Sequence, residues 1–255
     1  METFALFTLV GFLAQLVDGA LGMAYGIVTS TVMLSFGVPP AQTSAAVHAA
    51  EVFTTGTSGI SHLIHKNIDK QLFLRLVPAG VAGGVLGAFV LTSIDGNTIK
   101  PFVVVYLGLM AALILTKSFV SVPSRPVPAK YVMPLGLAGG FADASGGGGW
   151  GPVVTSSLLG AGGEPRYVIG TVNAAEFFVS LSVSIAFVIA LVTGHWEDAG
   201  GFETHISAIA GLVLGGVIAA PLAGYVLKKL DRIVIMRAVG SLVAILALYQ
   251  GYRLF

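Results

Sequence analysis

Four acidic residues fall inside long apolar runs: Asp18, Glu51, Asp143 and Glu176. An ionised carboxylate in hydrocarbon is costly unless it is paired or neutralised, so an acid in such a run is a functional candidate by default. His48 precedes Glu51 by three residues, which puts imidazole and carboxylate on one helical face. Such a pair can take up and release a proton near neutral pH. Asn173 holds the equivalent place before Glu176. Asp18 and Asp143 instead open glycine-rich stretches, Asp18-Gly19-Ala20-Leu21-Gly22 and Asp143-Ala144-Ser145-Gly146-Gly147-Gly148-Gly149. A helix interrupted there frees backbone N–H groups, and the N-terminus that restarts carries partial positive charge. Glycine lets a ligand approach those amides closely, so the chemistry is anion binding. An aspartate at each break would serve equally as a cap on the freed amides.

The binding candidates flank these acids. They are Gly22, Tyr25 and Gly26 at the first break, and Ser145, Gly146, Gly147, Gly148, Gly149 and Trp150 at the second. Ser44, Thr171 and Asn173 offer polar side chains from the blocks that follow, beside His48. Tyr25 and Trp150 stand in equivalent places just past the breaks, either lining the site or packing. Asp18, Glu51, Asp143 and Glu176 are read as proton-coupling or structural acids. His62 and His65 lie one turn apart at a basic helix end with no third ligand nearby, so they read as interfacial residues; no metal and no cofactor is expected. An intramembrane hydrolase would need a nucleophile–base set. Ser145 beside Asp143 is the nearest approach and no His shares that segment, so no catalytic residue and no enzyme activity is expected.

These residues come in pairs because the chain repeats itself. Shifted by 125 residues, Gly11–Ile60 aligns with Gly136–Ile185 without a gap, with 14 identities in 50 positions. The identities include Asp18/Asp143, Gly22/Gly147, Gly26/Gly151, Gly37/Gly162, Pro40/Pro165 and Glu51/Glu176. Glycine bias alone does not match two acids in one register in a chain holding only 12. A weaker match continues through the segment ending at Asp95 and the one ending at Asp231. The repeat is the unit of the fold.

The elements that must position the site are membrane-spanning helices. Of 255 residues, 55% are hydrophobic and 10% charged, with mean hydropathy +0.91. Soluble domains carry about 25% charged residues, so lipid must cover most of this surface. There is no cysteine, which excludes disulfides and thiol chemistry. Met1-Glu2-Thr3 lacks the basic flank of a signal peptide, so the first apolar block is expected to be retained. Residues 42–64, 75–94, 99–119, 167–194, 204–227 and 233–252 each match a span of about 20 residues. The first block of each half, 4–36 and 131–161, is longer and broken by glycine. Ala79, Gly83 and Gly87, and Gly211, Gly215 and Ala219, form stripes of small residues suited to packing.

Cytoplasmic loops are enriched in Lys and Arg. If both first blocks are re-entrant, each half has three crossings and the halves are inverted. Lys66, Lys70, Arg75, Lys117, Arg125, Lys130, Arg166, Lys228, Lys229, Arg232 and Arg237 then share one side. Only Lys100 and Arg253 fall on the other, with Glu197, Asp198 and Glu203. The expected fold is an all-α integral membrane protein made of an inverted repeat, each half carrying a broken or re-entrant first helix and three spanning helices. The halves are residues 1–120 and 131–255, joined by a basic cytoplasmic linker at 121–130.

The Asp followed by a glycine-rich break (Asp18–Gly26 and Asp143–Gly151), the turn Gly37-Val38-Pro39-Pro40 and the segments that follow resemble the sulfite exporter TauE/SafE family over nearly the whole chain. That resemblance implies outward transport of a small sulfur-containing anion, sulfite or an organosulfonate, energised by an ion gradient. The chain departs from the pattern in its first half, where Leu21-Gly22-Met23-Ala24-Tyr25-Gly26 replaces a glycine run and His48 stands where Asn is more usual. The expectation is a proton-coupled secondary transporter in the cell inner membrane, crossing it several times; the alternatives are a passive anion channel and an assembly subunit. Its expected partners are a small anionic substrate, membrane lipid and a second copy in a possible homodimer, with no nucleic acid.

Overall fold

Helix boundaries in this chain are set by proline, aspartate and left-handed glycine. The computed structural model describes residues 2–119, 128–196, 205–222 and 232–254, with Ala20 and Arg232 described by backbone alone. Arg125, Glu197, Asp198, Glu203, Lys228, Lys229, Asp231 and most of the expected linker lie outside those residues. The helices are α1 (Glu2–Leu21), α2 (Tyr25–Ser35), α3 (Pro40–Ile64), α4 (Lys70–Thr92), α5 (Gly96–Lys117), α6 (Val132–Gly146), α7 (Ser156–Gly160), α8 (Pro165–Val192), α9 (Ile206–Ala219) and α10 (Arg232–Leu254). A π-helical turn, Trp150–Thr155, leads into α7. No strand occurs among the described residues.

Pro40 and Pro165 open α3 and α8, where proline's missing N–H is no loss. Asp69 caps α4 by accepting from the amides of Gln71 and Leu72 at 2.8 and 3.1 Å. Asp95 does the same for α5 with Asn97 and Thr98, both at 3.0 Å. At the breaks, Gly22 (φ 66°) and Gly147 (φ 71°) adopt the left-handed conformation that ends a helix. The helices therefore run through Asp18-Gly19-Ala20 and Asp143–Gly146 and stop later than the sequence pattern suggested. The interruptions are residues 22–24 and 147–149.

Among the described residues, five helices are long and apolar enough to cross a membrane: Glu2–Gly19 within α1, α4, α5, α8 and the greater part of α10. The chain is an all-α multi-pass membrane protein. Helix α3 is long enough as well but spends its inner face on Gln42, Thr43, Ser44, His48, Glu51, Thr54, Thr55 and Ser58, all buried. Exposed leucines, phenylalanines and valines such as Leu74, Phe102, Val192 and Leu248 form the lipid-facing exterior.

Equivalent helices of the two halves pack reciprocally. Helix α1 lies on α9 while α6 lies on α4; α3 lies on α8, and α5 on α10. The small-residue stripes make this possible: a side chain on Gly83 would meet the Leu137 carbonyl, and one on Gly215 that of Thr8. The end of α3 lies beside the start of α8, since Arg166 donates to Asn67 Oδ1 at 2.6 Å and to the His65 carbonyl at 3.0 Å. These two helices thus run in opposite directions. The start of α9 lies beside the start of α3, with His205 Nε2 and Gln42 Oε1 2.8 Å apart. Contacts along α1 and α9 advance together (Gly211 with Phe4 and Thr8, Gly215 with Thr8 and Phe12), so those two helices run the same way.

Candidate functional site

The two interruptions meet. Gly148 sits against the backbone of Gly26 and Ile27, and Gly151 against Met23 and the Gly22 carbonyl. Ser30 donates to the Gly147 carbonyl, and Thr155 donates to the Gly22 carbonyl at 2.6 Å. Ser30 and Thr155 are 125 residues apart, as are Gly22 and Gly147, so each bond is the exchange of the other. The breaks also differ. Gly148 holds φ 153° in the second, whereas the first must hold Ala24 at φ 134°, a conformation that ordinarily favours glycine.

The aspartates cap the restarting helices. Asp143 Oδ1 accepts from the amides of Gly149 and Trp150 at 2.7 and 3.0 Å. Asp18 Oδ1 accepts from the Tyr25 amide at 3.3 Å. The resident carboxylates thus occupy amide positions that an incoming anion would otherwise use. Asp143 Oδ2 lies 3.2 Å from His48 Nε2, both side chains fully buried. The other ring nitrogen, Nδ1, faces the Ser44 carbonyl at 2.8 Å. Glu51, one turn on, has Oε2 accepting from Ser180 at 3.1 Å. His48, Glu51 and Asp143 each bring a potential ligand atom within 4.8 Å of the others, and the direct His48–Asp143 contact satisfies ring and carboxylate without an ion. Glu176 is buried and within electrostatic reach of Asp18, Glu51 and Asp143.

Most sequence candidates gather here. Ser44 donates to the Ala144 carbonyl at 2.6 Å. Asn173 approaches Gly22 and accepts from Ser58 at 3.2 Å. Tyr25 and Trp150 anchor the breaks to the opposite half: Tyr25 Oη donates to the Leu212 carbonyl at 3.0 Å beside Gly216, and the Trp150 ring packs on Gly80. Trp150 Nε1 donates to the Val172 carbonyl at 3.1 Å. Two candidates lie elsewhere. Ser145 is half-buried and donates to the Phe141 carbonyl of its own helix at 2.6 Å. Thr171 is buried but accepts from the Asp69 amide at 2.8 Å, fastening the α3–α4 turn. Gly146 remains helical, its Cα face covered by the Tyr106 ring.

Ser30, Thr155, Ser180 and Tyr106 are among the side chains that escaped the sequence reading. Ser30 and Thr155 align in the repeat and could have been found there as a matched hydroxyl pair. Ser180 holds Glu51, and Tyr106 Oη donates to the Gly148 carbonyl at 3.2 Å. Tyr106 comes from α5 with no motif around it.

Comparison with known proteins follows the same outline. The sequence profile described as Sulfite exporter TauE/SafE matches residues 7–250. The chain is 41% identical over 236 residues to "Probable membrane transporter protein YtnM" of Bacillus subtilis (strain 168), covering 90% of this chain and 76% of that protein. It is 31% identical over 173 residues to "Probable membrane transporter protein ORF9" of Sinorhizobium sp, covering 66% of this chain and 60% of the relative. No solved structure matches at comparable stringency.

Proposed function

Because the chain belongs to the sulfite exporter TauE/SafE family, we propose that it is a secondary active transporter of a small anion, sulfite or a small organosulfonate, in the cell inner membrane. The observation that carries this reading is the meeting of two interrupted helices in the interior of a membrane transporter. Interrupted helices of this kind, facing each other across a repeat interface, are a recurrent substrate-site layout in carriers. The antiparallel run of α3 and α8 and the basic bias of one side support an inverted relation between the halves.

Coupling follows from the contest for the amides. While Asp18 and Asp143 are anionic, they hold the N–H groups at the breaks and repel a second negative charge. A proton taken up by a buried acid weakens that hold and lowers the local charge, so proton and anion favour each other's binding. A dianion leaving with one proton still carries negative charge outward, which an inside-negative potential drives.

The test is flux of sulfite, thiosulfate and sulfoacetate in proteoliposomes, with and without an acid-outside pH gradient. Accumulation of one of these anions that follows the gradient supports the carrier. Flux that follows the anion gradient alone assigns a passive channel instead, and no flux of any of them removes the anion reading.

A further inference from the structure

The repeat supplies two equivalent aspartates, yet their surroundings are unequal. Asp143 is saturated: Oδ1 takes two amides and Oδ2 faces His48. Asp18 keeps one long amide bond through Oδ1, and its Oδ2 is buried with no hydrogen-bond partner. The cause is one difference between the halves. Asn173 replaces His48, and its amide is already spent, with Nδ2 donating to the Ile169 carbonyl and Oδ1 accepting from Ser58, both at 3.2 Å. One turn before Asp18, Gln15 is fully buried with Nε2 and Oε1 both unpartnered, at a position the second half fills with Gly140. An open carboxylate oxygen and an open amide therefore stand a turn apart on α1, in the interior. Buried polar groups are bonded almost without exception, so this pair calls for a ligand.

The charges around Asp18 indicate the sign of that ligand. Helix α9 and the turn after it carry no titratable residue in 206–222. Helix α2 contributes only Tyr25. Asp143 on α6, Glu51 on α3 and Glu176 on α8 are the carboxyls within electrostatic reach of Asp18. Among the described residues, four buried carboxylates thus share one buried base, His48, and that base is committed to Asp143.

We propose that Asp18 is the point at which the transporter takes up its coupling cation, a proton or a single sodium ion, while Asp143 stays fixed by His48. The inference rests on the carrier reading above and names the residue that does the coupling. A cation on Asp18 fills the open oxygen and sits among the four buried carboxyls beside the breaks. Gln15 lines the same place as a neutral donor and acceptor.

The test compares wild-type protein with Asp18→Asn in proteoliposomes, using labelled sulfite. Asparagine keeps Oδ1 for the Tyr25 amide, so the cap survives while the charge is lost. Counterflow exchange, which needs no net cation movement, should lose its dependence on pH or sodium. Accumulation driven by an acid-outside gradient, or at constant pH by an inward sodium gradient, should disappear. Which of the two gradients drives wild type tells proton from sodium. Wild-type coupling with unaltered coupling in Asp18→Asn overturns this assignment alone, as does loss of coupling in Glu176→Gln but not in Asp18→Asn. Wild-type flux that follows neither gradient overturns the carrier reading and this assignment with it. Should Asp18→Asn fail to fold, Gln15→Leu is the second variant: the cation concentration for half-maximal uptake should rise about tenfold, and an unchanged value counts against the site.

Discussion

At the scale of single residues, the most consequential side chain is His48, because it breaks the equivalence of the two halves. It holds Asp143 across the interface at 3.2 Å with both partners fully buried. Replacing it by the residue the repeat uses, His48→Asn, would strand Asp143 Oδ2 as Asp18 Oδ2 is stranded now. Removing one partner of a buried pair costs about 3–5 kcal/mol, so the variant should melt well below wild type in detergent; an unchanged melting temperature would mean that the contact stabilises nothing. Ser30 and Thr155 supply a gentler comparison. Ser30→Ala and Thr155→Val each leave a buried carbonyl unpaired, at about 1–3 kcal/mol, and the two losses should be alike if the exchange is real. Much of this was legible in the sequence, since Asp18, Asp143, Glu51 and His48 announce themselves as charges in apolar runs. Thr171 was not: two residues on a helix turn the side chain by about 200°, so Thr171 cannot share the face of Asn173. Tyr106 could not be foreseen at all, because only packing brings α5 against Gly148.

At the scale of elements, glycine does two separate jobs that composition alone cannot tell apart. Gly22 and Gly147 end helices in the left-handed conformation, whereas Gly83, Gly87, Gly211 and Gly215 allow two backbones to touch. Gly148 combines a positive φ of 153° with close backbone approach, since a side chain there would meet the Ile27 amide. It is therefore part of the seam between the breaks rather than an opening for a ligand. The sequence located each break as a stretch opening on its aspartate, 18–22 and 143–149, but the helix runs on past the aspartate because it ends only where φ turns positive, at Gly22 and Gly147. Gly148→Ala should cost about 1–3 kcal/mol for the backbone conformation alone and more for the overlap with α2. Gly83→Val and Gly215→Val should each force a docked pair apart, α4 from α6 and α9 from α1. Each should cost more than the roughly 1–3 kcal/mol usual for overpacking, because the obstacle is a carbonyl rather than a movable side chain. Size-exclusion profiles and melting curves in detergent would check all three; a well-folded Gly83→Val would mean that α4 and α6 are not held at backbone contact.

At the scale of the whole molecule, the decisive quantity is the relative direction of the two halves. If both broken blocks enter and leave on one side, Lys70 and Glu164 lie on the same face of the membrane and Asn97 on the other. If the halves were parallel, each with four crossings, Lys70 and Glu164 would lie on opposite faces. The bonds from Arg166 to Asn67 and His65 favour the first arrangement, since they tie the start of α8 to the end of α3. The chain contains no cysteine, so single cysteines report position without background. All three positions are exposed helix-end or turn residues. With the basic side facing the cytoplasm, Asn97→Cys should react with a membrane-impermeant maleimide in intact cells. Lys70→Cys and Glu164→Cys should react only after permeabilisation. Labelling of Lys70→Cys and Glu164→Cys from opposite sides would make the halves parallel. The two restarting helices would then point the same way across the bilayer, and an alternating exposure of one shared site by symmetric rocking of the halves would lose its geometric basis.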